Sequence, residues 1–340
     1  MSKVVLGFSG GVDSAVSAVL LQKAGHEVHG VYLDNAEESA RLDAVSAAER
    51  MGIALTVIDV KRELEENVCR PFTEAYLRGE TPNPCIICNP SVKFKTLIAV
   101  ADRIGAELVA TGHYARAENG TLFKGMPSND QSYMLCRLTR EQAARVTLPL
   151  GSLEKTQTRA LAEEFGLPAA HKPDSMEICF VPDNDYAGFI QRETDYIPKE
   201  GNFVDIHGNV IGKHKGIIHY TVGQRKGLGL AMGHPVFVTE IRPDTNEVVI
   251  GENADVFASK LYANKLNFMA AEAFTGDVRA KAKIRYSHAG ADCTVRMINE
   301  DTLECVFDEP QRAVTPGQAL VLYDGEYVLG GGTIIGKAVE

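Results

Sequence analysis

The 340-residue chain has no tryptophan and no long hydrophobic run. No apolar stretch approaches the roughly 20 residues that a membrane helix needs, which argues against a membrane-embedded protein. The N-terminal stretch MSKVVLGF is too short for the apolar core of a signal peptide and has no cleavage site. The seven cysteines are an odd, scattered set and not a disulfide framework. We therefore expect a cytoplasmic protein with reduced thiols and no membrane partner.

The sequence also lacks an excess of basic residues. The net charge of −10 taken alone counts against a nucleic-acid partner. However, residues 206–239 and 278–291 contain no acid, so the second half of the chain has local basic segments that are compatible with an RNA substrate. Their cations are Lys213, Lys215, Arg225 and Lys226 in the first segment, and Arg279, Lys281, Lys283 and Arg285 in the second.

Apolar runs and helical patterns alternate in the first half. This βα alternation predicts an α/β domain with a doubly wound parallel sheet, whose ligands bind at the C-terminal ends of the strands. Past residue 200, short β-rich runs separated by turn signals predict an all-β half. The predicted strands are 3–8, 27–33, 54–60 and 107–111, and the predicted helices are about 39–51, 63–77 and 92–104. We place the domains at 1–203 (catalytic α/β), 204–270 (small β-rich module) and 271–340 (C-terminal β-barrel).

The segment GFSGGVDS, Gly7–Ser14, lies between the first strand and a helix. Such a turn presents unpaired N–H groups and a positive helix end to an anion. The adjacent glycines let the backbone approach a phosphate, and Ser9 and Ser14 add hydroxyl donors. Asp13 would repel phosphate, so its presence suggests a Mg²⁺ ion that bridges the carboxylate and a pyrophosphate. The alternative is a glycine-rich turn with an Asp cap.

The segment TPNPCIICN, Thr81–Asn89, predicts a stiff, extended loop that presents Cys85 and Cys88. No other cysteine belongs to a CxxC pair, so a Cys₄ zinc site is not expected, although zinc bound by two cysteines and distant histidines stays open. Cys179 in DSMEICF, taken alone, is more often a small buried hydrophobe than a reactive thiol. His113 in ATGHY is expected to be a core or supporting residue.

The segment RAKAKIRY, Arg279–Tyr286, alternates cations with apolar residues. At the period of a strand, the cations would share one face and the apolar residues would face the core. Like charges in a row repel, so this face suits a polyanion, and the alternative is a solvated strand face. GKHKG and GQRKGLGL suggest a second surface that contacts an RNA backbone.

Six strings occur in order along most of the chain: SGGVDS, TPNPCIICN followed by KFK, ATGHYAR, SNDQSYML, DSMEICF and HYTVGQRKGLGL. Together they resemble the tRNA-specific 2-thiouridylases, the MnmA/TrmU family of the PP-loop ATP pyrophosphatase superfamily. The resemblance implies thiolation of the wobble uridine of the Lys, Glu and Gln tRNAs. ATP adenylates O2 of the uracil, sulfur attacks C2, and AMP and pyrophosphate are released.

The resemblance also implies the site residues. Cys179 would carry a persulfide and Cys88 would be its partner nucleophile, with sulfur supplied by a cysteine desulfurase or a sulfur relay protein. ATP, with Mg²⁺ at Asp13, would bind Gly7, Phe8, Ser9, Gly10, Gly11, Val12, Asp13 and Ser14, with Leu33 and Gly112 at the adenosine. Asn83, Pro84 and Cys85 would meet the target base. The tRNA would contact Asn129, Asp130, Gln131, Arg285 and Tyr286, and the basic strand adds Lys281 and Lys283.

The chain departs from the family at Cys85, where Asp is commonest. Cys85, Cys88 and Cys179 make a three-cysteine set that could hold a [4Fe–4S] cluster, whose open iron would bind hydrosulfide as the sulfur nucleophile. The loop after the second strand is also shorter than usual. A different enzyme class stays open, a PP-loop ligase that acts on a small molecule, as does a non-catalytic RNA-binding protein.

Overall fold

The computed structural model describes residues 2–35, 37–170, 178–269 and 274–337. The chain divides into two compact units. The first comprises Met1–Val68, Cys85–Met176 and Gly325–Leu329, and the second comprises Cys69–Pro84, Glu177–Asp324 and Gly330–Glu340. The domain boundaries after residues 203 and 270 stay predictions, and residue 270 lies outside the described ranges.

The strands are β1 (Lys3–Gly7), β2 (Glu27–Asp34), β3 (Ala54–Asp59), β4 (Leu108–Ala110), β5 (Ala115–Glu118), β6 (Thr121–Lys124), β7 (Val146–Thr147), β8 (Gly201–Asp205), β9 (Val210–His214), β10 (Phe237–Arg242), β11 (Glu247–Gly251), β12 (Phe257–Phe268), β13 (Val278–Lys283), β14 (Ala291–Met297), β15 (Leu303–Arg312), β16 (Ala319–Asp324) and β17 (Tyr327–Gly336).

The α-helices are α1 (Val12–Lys23), α2 (Glu38–Arg50), α3 (Lys61–Leu64), α4 (Arg70–Leu77), α5 (Pro84–Cys88), α6 (Phe94–Ile104), α7 (Ser132–Leu135), α8 (Arg140–Ala144), α9 (Lys155–Glu164) and α10 (Tyr186–Glu193). Glu65–Cys69 and Asn89–Lys93 are π-helical turns, and Ile217–His219 and Ala254–Val256 are 3₁₀ turns. None of the helices in the described ranges is both long and apolar enough to span a membrane.

The first unit contains a five-stranded sheet in the order β3-β2-β1-β4-β7. The four strand pairs are all parallel, which confirms the predicted α/β fold. The two-residue edge strand β7 was not predicted, because it is too short to show a period. Since the strands are parallel, the segments that follow β1, β2 and β4 lie at one edge of the sheet. The Gly7–Ser14 loop and the TGHY segment therefore meet there.

The second unit contains a four-stranded sheet, β10-β11-β8-β9, and a closed antiparallel barrel. The barrel has six strands, β12-β15-β14-β13-β16-β17, and the pairing of β12 with β17 closes it. The predicted small module and C-terminal barrel are thus confirmed. Ala280, Ala282 and Ile284 are buried, as the alternation in the basic segment predicts. However, β13 ends at Lys283, so Arg285 and Tyr286 lie in the following turn and not on the predicted strand face.

The predicted helix over residues 63–77 is interrupted by the π-helical turn Glu65–Cys69. Within the second unit, Phe72 of α4 packs edge-on against Phe180, with ring centroids 5.3 Å apart. The loop that follows α4 is fixed to the end of the barrel, because Thr81 N donates to Pro316 O at 2.8 Å. Thr81 O in turn accepts from the side chain of Gln318 at 2.7 Å. Packing of α4 therefore supports both the start of the TPNP loop and the neighbour of Cys179.

Candidate functional site

The Gly7–Ser14 loop connects β1 to α1. Gly11 precedes α1 in an extended conformation, and no side chain caps the helix in the described structure. The first N–H groups of a helix have no intrahelical partner, so they are available to an anion. The Ser14 hydroxyl donates to Gly11 O at 3.0 Å and lies 3.3 Å from the Ser9 hydroxyl. Phe8 and Val12 are buried, so they offer the site only their backbone.

Gly10 is the position in this loop that requires glycine. Its φ is +72°, and an added Cβ would lie 2.8 Å from Cα of Ala44 in α2. Ala44 is fully buried, so it cannot retreat easily. Packing against helix α2 therefore fixes the conformation of the loop.

Replacing Gly10 by alanine is expected to weaken Mg·ATP binding at least about tenfold, since backbone strain and the clash together exceed about 1.4 kcal/mol. Isothermal calorimetry on the full chain measures this effect. Gly25→Ala is the matched control, because Gly25 also has a positive φ, +86°, but has nothing within 4 Å of an added Cβ. Equal ATP affinity in Gly10→Ala and Gly25→Ala would show that the loop does not bind the nucleotide.

The Asp13 carboxylate is held by two residues from distant parts of the sequence. Lys155 Nζ lies 2.7 and 2.8 Å from the two carboxylate oxygens. The Tyr114 hydroxyl donates to Oδ1 at 2.7 Å. We call Asp13, Tyr114 and Lys155 the Asp13 clamp. A lysine at this position places a positive charge beside the anion-binding helix end, where a pyrophosphate would need it.

The two predicted adenosine residues differ in their relation to this loop. An added Cβ on Gly112 would lie 2.9 Å from Cβ of Asp13, so Gly112 packs directly on the loop. Leu33 is half-buried near the C-terminal end of β2, the strand next to β1. Their contact with adenosine stays a prediction.

The predicted RNA contacts Asn129, Asp130 and Gln131 make hydrogen bonds within the first unit. Gln131 forms two with the backbone of Tyr114: its Oε1 accepts from Tyr114 N at 3.0 Å, and its N–H donates to Tyr114 O at 2.7 Å. Asp130 Oδ1 accepts from the backbone N–H groups of Gly125 and Ser132, both at 2.9 Å. Asn129 Nδ2 donates to Leu153 O at 3.3 Å. All three residues are half-buried and held in place.

Cys85 and Cys88 lie three residues apart on the short helix α5. Cys85 is exposed and Cys88 is half-buried. Burial raises the pKa of the Cys88 thiol, and the nearby charge of Lys93 opposes this shift. The π-helical turn that follows is fixed by buried Asn89, whose side chain donates to Met134 O at 2.8 Å. The local structure thus presents one thiol to solvent and shelters the other.

Cys179 is exposed in the second unit, where its neighbour Phe180 packs on Phe72. The expectation that a lone cysteine here is a buried hydrophobe is therefore wrong. Asn83 and Pro84, the predicted base contacts beside Cys85, also follow α4. Residues 174–177 of the DSMEICF segment lie outside the described ranges.

His113 packs in the interior and hydrogen-bonds a neighbouring side chain, as expected for a core or supporting residue. Its Nδ1 lies 2.7 Å from the Thr111 hydroxyl, and its ring stacks on Phe94 with centroids 6.2 Å apart. Burial, assisted by the charge of Lys93, holds the pKa of His113 well below its ordinary value. A neutral imidazole is expected at this position across the physiological range.

Two cations of the predicted basic face are paired with acids on neighbouring strands. Arg279 makes two hydrogen bonds to Asp308, at 2.8 and 2.6 Å. Lys281 lies 3.2 Å from Asp292. The charges of Arg279 and Lys281 are thus partly neutralised, which the sequence did not indicate.

Arg225 and Lys226, also in the second unit, are not paired with acids in this way within the described ranges. Arg225 and Lys226 are exposed, and in the described ranges no carboxylate lies within ion-pair distance of either. The side chain of Gln224 accepts from Thr221 N at 3.0 Å and donates to Lys226 O at 3.0 Å, which fixes the turn that presents them. Arg285 donates to Arg312 O at 3.0 Å, and Lys283 lies 5.9 Å from the ring of Tyr286.

Three family models match successive parts of the chain. They are described as a tRNA methyl transferase HUP domain (residues 2–183), a tRNA methyl transferase PRC-barrel domain (188–252) and an aminomethyltransferase β-barrel domain (258–334). A tRNA-specific 2-thiouridylase MnmA of Lachnoclostridium phytofermentans is 50% identical over 98% of this chain and 100% of that protein. The chain belongs to the MnmA family of tRNA-specific 2-thiouridylases.

Further members of the MnmA family are similar over the same length. Proteins of that name from Clostridioides difficile and Carboxydothermus hydrogenoformans are 44% and 46% identical, each over 98% of this chain. They cover 98% and 97% of those proteins, respectively. The match therefore includes all three predicted domains and not the nucleotide-binding part alone.

Within this MnmA-family chain, sequence reasoning missed Tyr114 and Lys155. Tyr114 is part of the quoted ATGHYAR string, but nothing local connects it with Asp13, 101 residues away. Lys155 is 142 residues from Asp13 and begins α9 after an ordinary helix-capping pattern. Among the described residues, no three or more His, Cys, Asp or Glu side chains cluster closely enough to hold a metal ion.

Proposed function

We propose that this protein converts the wobble uridine of tRNA to 2-thiouridine at the expense of ATP. The observation that carries the proposal is the presence, within one compact unit, of the Asp13 clamp beside a phosphate-binding loop and of the Cys85–Cys88 pair. The loop and the Asp13 clamp can bind ATP to activate an oxygen of the substrate. The cysteine pair supplies the soft sulfur nucleophile that replaces this oxygen. Membership in the MnmA family supports the same assignment.

The nucleotide step uses the loop and the clamp. Backbone N–H groups at the start of α1 bind the phosphates, and Ser9 and Ser14 orient them. Asp13 and phosphate oxygens form a donor set that suits Mg²⁺, which would offset the charge of the pyrophosphate. Lys155 donates to both oxygens of Asp13 and is placed to transfer one of these hydrogen bonds to a phosphate when ATP binds. Uracil O2 then bonds to the α-phosphorus and pyrophosphate leaves.

The sulfur step replaces the activated oxygen. The outer sulfur of a persulfide on Cys179 attacks C2, the C2–O bond breaks, and AMP leaves with the former uracil oxygen. The Cys88 thiolate then attacks Cys179 sulfur, which releases the thiocarbonyl and leaves a Cys88–Cys179 disulfide. An external thiol reductant restores both cysteines. Burial raises the pKa of the Cys88 thiol, and the charge of Lys93 opposes this shift and so assists ionisation of the thiol.

A second route of sulfur delivery is proposed from the chemistry of the three cysteine thiols. Cys85 has no part in the persulfide scheme, yet its thiol lies one helical turn from Cys88. Three thiolates, from Cys85, Cys88 and Cys179, suit a [4Fe–4S] cluster with one open iron, which would supply hydrosulfide as the nucleophile. Cys85, Cys88 and Cys179 are all described and do not form a group of three metal-ligating side chains, so this route is supported by the chemistry of the thiols and not by their placement.

The proposed tRNA contacts are the residues that the sequence analysis assigned to the target base and to the rest of the tRNA. Asn83, Pro84 and Cys85 would meet the base, and Asn129–Gln131, Lys281, Lys283, Arg285 and Tyr286 would contact the rest of the tRNA. The proposed target is the uridine at the wobble position of the Lys, Glu and Gln tRNAs. The proposed sulfur-donating partner is a cysteine desulfurase or a sulfur relay protein. The wobble base is already in a single-stranded loop, so extruding it costs less than in a duplex.

The pairing of cations with acids predicts which cations contribute most to phosphate binding. Substituting both Arg225 and Lys226 by glutamine is expected to lower the slope of log Kd for tRNA against log salt by about two, one for each cation. Arg279→Gln is the control, because Asp308 already occupies that guanidinium. Filter binding at several salt concentrations measures the slopes. A larger effect from Arg279→Gln than from the double variant would contradict this assignment.

Nucleoside mass spectrometry of tRNA tests the proposed function. The protein is incubated anaerobically with tRNA and Mg·ATP, with inorganic sulfide or with a cysteine desulfurase and cysteine. We expect 2-thiouridine, and the preferred source separates the cluster from the persulfide. ATP cleavage without 2-thiouridine from either source would overturn the proposal and indicate a ligase that acts on another acceptor.

A further inference from the structure

Residues 129–131 contact Tyr114, one partner of Asp13, and the segment just before Lys155, the other partner. On one side, Gln131 holds the backbone of Tyr114 by two hydrogen bonds, of 3.0 and 2.7 Å. On the other side, Asn129 donates to Leu153 O at 3.3 Å, two residues before Lys155. The segment predicted to contact RNA is therefore one hydrogen-bonded step from each arm of the Asp13 clamp.

Both connections are stiff. Tyr114 is only 2% exposed, so a shift of its backbone is passed on to its hydroxyl, which has little room to adjust. Lys155 begins α9, whose start is fixed by a hydrogen bond of 2.8 Å from Glu154 N to the Gln157 side chain. Asp130 fixes the conformation of the segment, because its carboxylate accepts hydrogen bonds from two backbone N–H groups. These contacts give a displacement of the segment a path to Asp13 through Tyr114 and through the start of α9.

We propose that residues 129–131 are a positioning element through which RNA binding controls the Asp13 clamp. In this proposal Lys155 transfers from Asp13 to a phosphate of bound ATP, and Tyr114 keeps the carboxylate oriented. RNA that docks on Asn129 and Gln131 shifts the free energy of this exchange, so ATP is cleaved only when an acceptor is present. Gln131 is thus a positioning residue of the ATP site. That the docking ligand is RNA rests on the proposed function.

A double-mutant cycle tests this coupling. Gln131→Met removes the acceptor for Tyr114 N, and Tyr114→Phe removes the hydroxyl at the other end while keeping the ring. The readouts are the stimulation of AMP formation by tRNA and the Kd of Mg·ATP with and without tRNA. Each single variant is expected to lose about tenfold in stimulation, and the double variant no more than either, because both break one chain of contacts.

Two comparisons separate this role from general stability. Gln131→Glu retains an acceptor oxygen and should recover most of the stimulation. Gln191→Met, which removes a side chain that donates to Ala187 O at 3.1 Å in the second unit, should leave it unchanged. The inference would be overturned if the loss of stimulation in the double variant equalled the product of the two single-variant losses. It would also be overturned if Gln131→Met were stimulated by tRNA as strongly as the parent protein. If no 2-thiouridine forms at all, the Mg·ATP affinities still decide the coupling between Gln131 and Tyr114.

Discussion

Replacing Lys155 by methionine is expected to lower AMP formation by about 10²- to 10³-fold, the usual cost of losing a preorganised charge in an active site. The side chain keeps its length but can neither hold Asp13 in the free protein nor neutralise phosphate in the complex. Asp13→Ala should abolish AMP formation as well, and the double variant should be no worse than Asp13→Ala. Release of AMP and pyrophosphate in the presence of tRNA measures each effect.

Lys23→Met is the control for Lys155. Lys23 lies near the end of α1 and 3.9 Å from the centroid of the Phe165 ring, well removed from the loop in sequence. It should retain the parent activity. Thermal unfolding distinguishes a local effect from loss of the fold. A Lys155→Met variant that forms AMP at nearly the parent rate would contradict the role of the clamp in ATP cleavage.

Replacing Cys88 by serine is expected to abolish 2-thiouridine while leaving AMP formation in place. The hydroxyl is close to the thiol in shape, but it cannot resolve a persulfide and is a much weaker ligand for an iron–sulfur cluster. In the proposed mechanism adenylation uses the Asp13 clamp, which does not include Cys88. Nucleoside mass spectrometry and AMP release, measured on the same reaction, separate the two steps.

Cys85→Asp, the residue commonest in the family at this position, tells the two sulfur routes apart. With a persulfide on Cys179, the variant should still form 2-thiouridine from a cysteine desulfurase and cysteine. With a cluster, it should lose both the iron chromophore and the activity. Full thiolation by Cys88→Ser would contradict both routes.

Local patterns predicted the fold and the position of the Gly7–Ser14 loop between β1 and α1. The Gly7–Ser14 loop, the parallel sheet and the barrel follow from motifs and periodicities that a short window of sequence contains. What the sequence could not show depends on contacts between distant segments. Lys155 and Tyr114 reach Asp13 only because the ends of β1 and β4 and the start of α9 come together at one edge of the fold.

The basic segment illustrates the same limit. The alternation of Arg279 and Lys281 with buried alanines was predicted correctly, but their pairing with Asp308 and Asp292 depends on which strands lie beside β13. The end of β13 at Lys283 was equally unpredictable, because the alternation continues through Tyr286. The predicted face is therefore split into paired cations on the strand and Arg285 with Tyr286 in the turn.

The most direct test follows the oxygen that sulfur replaces. An anticodon stem-loop with ¹⁸O at C2 of its wobble uridine is incubated with the protein, Mg·ATP and a sulfur source. AMP and the nucleosides are then analysed by mass spectrometry. The account predicts one ¹⁸O atom in AMP for each 2-thiouridine formed. Unlabelled AMP formed together with 2-thiouridine would show that ATP does not activate the uracil oxygen, and would contradict the account.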